Sequence, residues 1–140
     1  MEAVVNDDEI FVYMGGDQQV PQRVRRARIH EDVKIIRSWA FADRKSLIYV
    51  EFHDGIEVIG KNAFFRCDNL RIAKLRGVKS IGDWAFCGAG LTDIEFGNKL
   101  ETIGLGAFQR CGHLTFGVLT LPDKLSSTAP TRSRIARCHL

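Results

Sequence analysis

The sequence predicts an α/β repeat protein: a short right-handed solenoid of stacked coils, with parallel strands and short helical or 3-10 turns in each coil. Three observations carry the prediction. The pair Ala-Phe returns at 40–41, 63–64, 85–86 and 107–108, in steps of 23, 22 and 22 residues. An isoleucine stands four residues before each Ala: Ile36, Ile59, Ile81 and Ile103. A leucine follows each pair: Leu47, Leu70, Leu91 and Leu114. Self-similarity at a period of ~20–29 residues is the mark of a solenoid coil, because one such unit cannot bury its apolar side chains alone.

The elements follow in chain order. Residues 9–14 (EIFVYM) read as one β-strand closed by Gly15-Gly16. This strand belongs to an N-terminal cap, residues 1–23, that covers the open apolar edge of the first coil. The array, residues 24–125, then begins. Val24-x-x-Ala27-x-Ile29 opens it, followed by Leu47-x-x-Val50-x-Phe52, Leu70-x-x-Ala73-x-Leu75 and Leu91-x-x-Ile94-x-Phe96. Each phrase ends in strand-like alternation, with Val50 and Phe52 on one face. A second phrase follows each time: Val33-x-x-Ile36, Ile56-x-x-Ile59, Val78-x-x-Ile81 and Leu100-x-x-Ile103. Three of these isoleucines precede a glycine (Gly60, Gly82, Gly104), which suits a sharp turn at φ > 0; the first precedes Arg37. The Ala-Phe segment suits a short helix or 3-10 turn, with Phe filling the core. About four full coils result, with a degenerate fifth from Leu121-Pro122. Residues 126–140 are polar, basic and patternless, and read as a flexible tail. The abrupt loss of pattern predicts a poorly capped C-terminal edge prone to self-association.

The phrase Leu70-x-x-Ala73-x-Leu75-x-x-Val78-x-x-Ile81-Gly82-x-x-Ala85-Phe86 resembles the BspA-like, or treponemal-type, leucine-rich repeat. Cys67, at the end of Ala63-Phe64-Phe65-Arg66-Cys67, fits that consensus as well. The leader FVYMGGD (residues 11–17), with Val20-Pro21, resembles that of a large set of such proteins from diatom-type algae. The resemblance implies a leucine-rich-repeat solenoid, a curved scaffold that generally binds other macromolecules, and no chemistry.

Composition narrows the classes of function. A hydrophobic fraction of 45% in 140 residues fits one folded domain with a modest core. No apolar run approaches the ~20 residues a bilayer span requires. The start, MEAVVNDDEI, carries acids where a signal peptide would carry bases, so an intracellular, cytoplasmic protein is the expectation. The net charge of +3 is unevenly placed. Residues 1–20 carry acids and no Lys or Arg. Arg23, Arg25, Arg26 and Arg28 follow directly, and Arg132, Arg134 and Arg137 lie in the tail. The basic stretch offers a polyanion contact, and the acids beside it offer neutralisation within the chain.

Aligning the repeats gives the outward strand positions. One column reads Arg26, Tyr49, Ile72, Asp93; its neighbour reads Arg28, Glu51, Lys74, Glu95. A third, on the second phrase, reads Lys34, Glu57, Lys79, Glu101. The second and third alternate in sign from coil to coil, which avoids like-charge stacking. Rigid coils would present the first two columns as a mixed-charge face for an unidentified protein partner. These eight residues are the candidate binding site.

Catalytic and metal chemistry find no support. His30 and His53 share a column, but its next members are Arg76 and Gly97, which are no metal ligands. Cys67 and Cys111 share a position two coils apart, roughly 10 Å, beyond the ~7 Å reach of a disulfide. They read as small buried hydrophobes, Cys87 is out of their register, and Cys138 lies in the tail. No nucleophile with a base, no phosphate loop and no cofactor or small-molecule motif is present. Trp39 and Trp84 alternate with Asn62 and Gly106 at one position, and partial burial between coils is expected of them. The expected function is therefore non-catalytic: a protein-interaction scaffold, with polyanion or nucleic-acid binding through residues 23–28 and the basic tail as the alternative.

Overall fold

A computed structural model describes residues 9–114 of the chain. The degenerate fifth coil, its edge, the basic tail and Cys138 lie outside the described residues. Nine short strands are present: β1 (Ile10–Tyr13), β2 (Arg26–Ile29), β3 (Ile35–Ile36), β4 (Tyr49–Glu51), β5 (Val58–Ile59), β6 (Ile72–Leu75), β7 (Ser80–Ile81), β8 (Asp93–Phe96) and β9 (Thr102–Ile103). Every pairing is parallel. One side carries β1-β2-β4 and β6-β8, and the other carries β3-β5-β7-β9. The chain is thus a parallel-strand solenoid of about four turns, and the strand phrase and the second phrase of the repeat form its two sides.

The core is built from the repeated positions. Leu47, Leu70, Leu91 and Leu114 are buried, as are Ile36, Ile59, Ile81 and Ile103. The four repeat phenylalanines stack face to face: Phe41 on Phe64 at 5.0 Å, Phe64 on Phe86 at 5.1 Å and Phe86 on Phe108 at 5.6 Å. Tyr13 of β1 closes the stack, tilted on Phe41 at 5.3 Å. Each aromatic pair adds about 0.5–1.5 kcal/mol beyond its buried area.

The expected helical and 3-10 turns do not form; among the described residues no helix is present. The Ala-Phe segments are runs of turns whose N–H groups alternate in direction. Ala40, Ala42 and Arg44 donate three residues back, to Arg37, Trp39 and Phe41. Between them Trp39, Phe41 and Asp43 donate to Lys61, Ala63 and Phe65 of the next coil. A helix would take every N–H for itself. Here half of them knit neighbouring coils together. The alternation requires left-handed backbone at two positions per coil: Trp39 and Asp43, Asn62 and Arg66, Trp84 and Gly88, Gly106 and Arg110. Such φ values in the bulky Trp39 and Trp84 (65° and 60°) are held by the bonds their N–H groups give to the next coil, at Lys61 O and Leu105 O.

The role assigned to the Ile-Gly glycines also changes. Gly60, Gly82 and Gly104 are not left-handed. A Cβ at Gly60 would stand 2.6 Å from the Ser38 nitrogen and 2.7 Å from the Arg37 carbonyl carbon. Glycine is needed because the preceding coil's backbone passes that close. Arg37 starts the column because what precedes it is the cap: its N–H meets the Tyr13 hydroxyl at 3.5 Å and its Nη1 meets Asp17 at 3.2 Å.

The cap has its own lock. In a parallel ladder alternate residues point to opposite neighbours. Tyr13 O accepts from His30 N–H, so Val12 and Met14 point to the outer edge of β1. There Gln18 donates from Nε2 to Val12 O (3.3 Å) and accepts from Met14 N–H at Oε1 (2.6 Å). One carboxamide thus makes the two bonds that a residue of a further parallel strand would make.

Candidate functional site

The strand side presents the predicted columns in register. Arg26 pairs with Tyr49 and Arg28 with Glu51 across β2–β4; Ile72 pairs with Asp93 and Lys74 with Glu95 across β6–β8. All eight side chains are exposed, while Ala27, Val50 and Ala73 between them are buried. No ladder joins β4 to β6. The coil between them, from Leu47 to Leu70, keeps the 23-residue leucine step, and the shorter 21-residue step from Leu70 to Leu91 separates β6 and β8, which do pair.

The middle of the face is apolar. Tyr49 is 48% exposed and Ile72 46%, with Ile48 at its edge and Ile10 beyond Arg26. Ile48 and Ile10 were not among the residues picked from sequence. Ile48 falls one residue before the first column, and Ile10 pairs in register with Arg26, so it continues that column onto the cap strand, outside the repeat that defined the column.

Charge pairing follows the alternation in one column and departs from it in another. Lys79 Nζ meets Glu57 Oε1 at 2.7 Å, adjacent members of the third column. The hydrogen bond and charge of Lys79 hold the Glu57 carboxyl below its ordinary value. In the second column Glu95 bonds instead to Arg76, at 2.9 Å from Nε and 3.4 Å from Nη2, and this lowers its pKa. Arg76, one position beyond the aligned pairs, reaches it diagonally with a forked guanidinium that the Lys74 ammonium cannot match. No ion pair joins Arg28 to Glu51 among the described residues.

A pocket of about 380 Å³ lies at the ends of β2 and β4, lined by Arg28, Ile29, His30, Glu31, Glu51, Phe52 and His53. His30 and His53 both line it, but each ring serves the backbone. Nδ1 of His30 accepts from Asp32 N–H at 3.1 Å. Nδ1 of His53 accepts from Gly55 N–H at 3.1 Å, and its Nε2 donates to His30 O at 2.9 Å. Both His53 nitrogens are therefore occupied. Among the described residues no three His, Cys, Asp or Glu side chains gather as a metal site.

The described cysteines are packing groups. Cys67, Cys87 and Cys111 are buried and free. Cys67 Sγ donates to Phe41 O at 3.1 Å, and Cys111 Sγ to Phe86 O at 3.0 Å, each bonding to the coil before its own. Burial pushes the Cys67 thiol up to about 12, far from the thiolate a nucleophile requires. Trp39 is 54% exposed and meets Phe65 edge-on at 5.9 Å. Trp84 is half-buried, and its ring occupies the space where a Cβ of Gly106 would lie. The small residues that alternate with the tryptophans thus make room for them.

Residues 22–129 match the family model described as the BspA type leucine rich repeat region, in six copies. The chain belongs to the BspA-type leucine-rich repeat family. Repeats of this kind generally serve as protein-interaction scaffolds and are typically non-enzymatic. No curated protein and no solved structure matches the chain. No helix among the described residues is long and apolar enough to cross a membrane. The positions that recur from coil to coil in this chain are consumed by the core and by the inter-coil ladder, which leaves the outward residues for recognition.

Proposed function

We propose that this protein is a non-catalytic scaffold that binds another protein through the outward face of β2, β4, β6 and β8. The observation that carries the reading is the half-exposed pair Tyr49 and Ile72, fixed on adjacent strands amid Arg26, Arg28, Glu51, Lys74, Asp93 and Glu95. An aromatic anchor with a charged rim is the usual anatomy of a protein-binding patch. Its strands hold it rigid before binding, which lowers the ordering cost. Affinity capture from native cell extract tests the reading, with Tyr49→Ala plus Lys74→Glu as control. The control should lose its partner at least tenfold, the usual size of an anchor's contribution. Equal recovery by both proteins removes the face.

A second reading rests on Arg23, Arg25, Arg26 and Arg28, all exposed on the first coil. They would support a polyanion contact. Such binding weakens steeply with salt and fails in Arg25→Glu plus Arg26→Glu, whereas the protein-binding reading predicts a shallow salt dependence.

A further inference from the structure

We propose that the strand face is complementary to itself, and that its partner is a second copy of this chain docked face to face about a two-fold axis parallel to the strands. The inference rests on the reading of that face as a binding surface and names its occupant. A two-fold axis in the interface, along the strands, sets each column against itself with the coil order reversed. The first column reads Arg26, Tyr49, Ile72, Asp93, paired in register within β2–β4 and β6–β8 and aligned between them by the repeat, with Ile10 of the cap strand beyond Arg26. Reversed upon itself, it places Arg26 opposite Asp93 of the second copy and Tyr49 opposite Ile72. The second column reads Arg28, Glu51, Lys74, Glu95. Reversed, it places Arg28 opposite Glu95 and Glu51 opposite Lys74. All four distinct pairings are complementary: three opposite charges and one apolar contact, each occurring twice. A two-fold axis along the coil stack would instead bring the arginines of the first coil against each other, so charge selects the reversed orientation.

The charges of the face suit this arrangement. Arg26, Arg28, Glu51 and Lys74 form no ion pair with another described residue. Among the described residues the Asp93 carboxylate accepts from the neighbouring Thr92 hydroxyl, at 3.3 Å, and forms no ion pair. Glu95 is held by Arg76 on its own chain, which fixes its carboxylate for a second guanidinium. Two columns over four coils form a small interface, so the dimer is a weak one, with a dissociation constant on the order of 10 µM or more.

Sedimentation of wild type, Arg26→Asp, Asp93→Arg and an equimolar mixture of the two variants tests the inference. Each variant alone sets like charges together at both ends of the interface, and its association weakens about tenfold or more. The mixture restores opposite charges at both ends and associates as wild type does. Glu51→Lys and Lys74→Glu form an independent second set with the same expected pattern, should either end variant fail to fold. A monomeric wild type at several hundred micromolar overturns the inference, as does a mixture no better than its components. If the wild type stays monomeric yet captures another protein that Tyr49→Ala plus Lys74→Glu loses, self-complementarity fails and the binding face stands.

Discussion

Gly82→Ala separates two reasons for a glycine at the turn after the isoleucine. Gly82 does not have a left-handed backbone, so alanine can adopt its conformation. Were chain flexibility the only issue, alanine would stabilise the fold by about 0.4–1 kcal/mol by restricting the unfolded chain. The packing predicts the opposite sign. A Cβ there would stand 2.6 Å from the Lys61 nitrogen, 2.8 Å from the Gly60 carbonyl carbon and 3.0 Å from the Lys61 Cα. Ordinary contact lies at about 3.5–4.0 Å. The obstructing atoms are backbone, held by the Gly82 N–H bond to Ile59 O at 2.8 Å, and they cannot rotate aside. Overpacking of this kind costs about 1–3 kcal/mol, and rigid neighbours place it in the upper half of that range. At about 3–5 °C per kcal/mol for a domain of this size, the midpoint should fall by roughly 6–15 °C. Thermal melts followed by circular dichroism measure it, with Gly112→Ala as control: a Cβ at Gly112 meets nothing within 4 Å and its φ is not left-handed. The control should melt at or slightly above wild type. A Gly82→Ala protein that does the same refutes the close-approach account.

Two further outcomes follow from the buried thiol and the cap. Burial raises the Cys67 pKa from 9.0 to about 12, so the folded state keeps a proton that the unfolded state loses. Stability from this group is therefore complete below pH 9 and declines as pH rises toward 12; urea titrations from pH 8 to 11 should show that decline, and Cys67→Ala should flatten it while folding about 1 kcal/mol less stably at pH 7 through the lost sulfur packing. An identical alkaline decline in both proteins would remove Cys67 as its source. At the cap, Gln18→Leu removes the acceptor of the Met14 N–H, whose exchange with solvent should speed up at least tenfold. Exchange as slow as in wild type would mean that Gln18 does not close the edge.

Most of the fold was legible because the core positions repeat and must stack in register. The Ala-Phe pairs, the isoleucines and the leucines gave the coils and the parallel strands directly. The turns were misread. Ala and Phe carry no signal that every second N–H is given to the next coil, because the repeat pattern does not record hydrogen-bond direction. Tryptophan at Trp39 and Trp84 even argues against the left-handed backbone found there. The glycines were read correctly as required but for the wrong reason. Arg37 held the clue: a residue with a side chain is accepted at that position in the one coil with only the cap before it. On the strand face the register was legible and the pairing was not, since Arg76 lies outside the aligned pairs and reaches Glu95 on the diagonal.

The alternating column alone is weak support for a dimer. Any even column of alternating charge becomes complementary when reversed, and avoidance of like charges within one chain already favours alternation. Lys34, Glu57, Lys79 and Glu101 have the same property, and there Lys79 and Glu57 pair within the chain. The first column is different. Intrachain avoidance does not ask for Arg26 at one end, Asp93 at the other and an apolar pair between them, because neither charge has a like neighbour in that column. Separated charge around an apolar centre gains nothing within the solenoid and exposes Tyr49 and Ile72 to water. Reversal against a second copy satisfies both ends and covers both apolar side chains at once. Arg26→Asp and Asp93→Arg are therefore the decisive pair, and the alternating second column serves as the independent check.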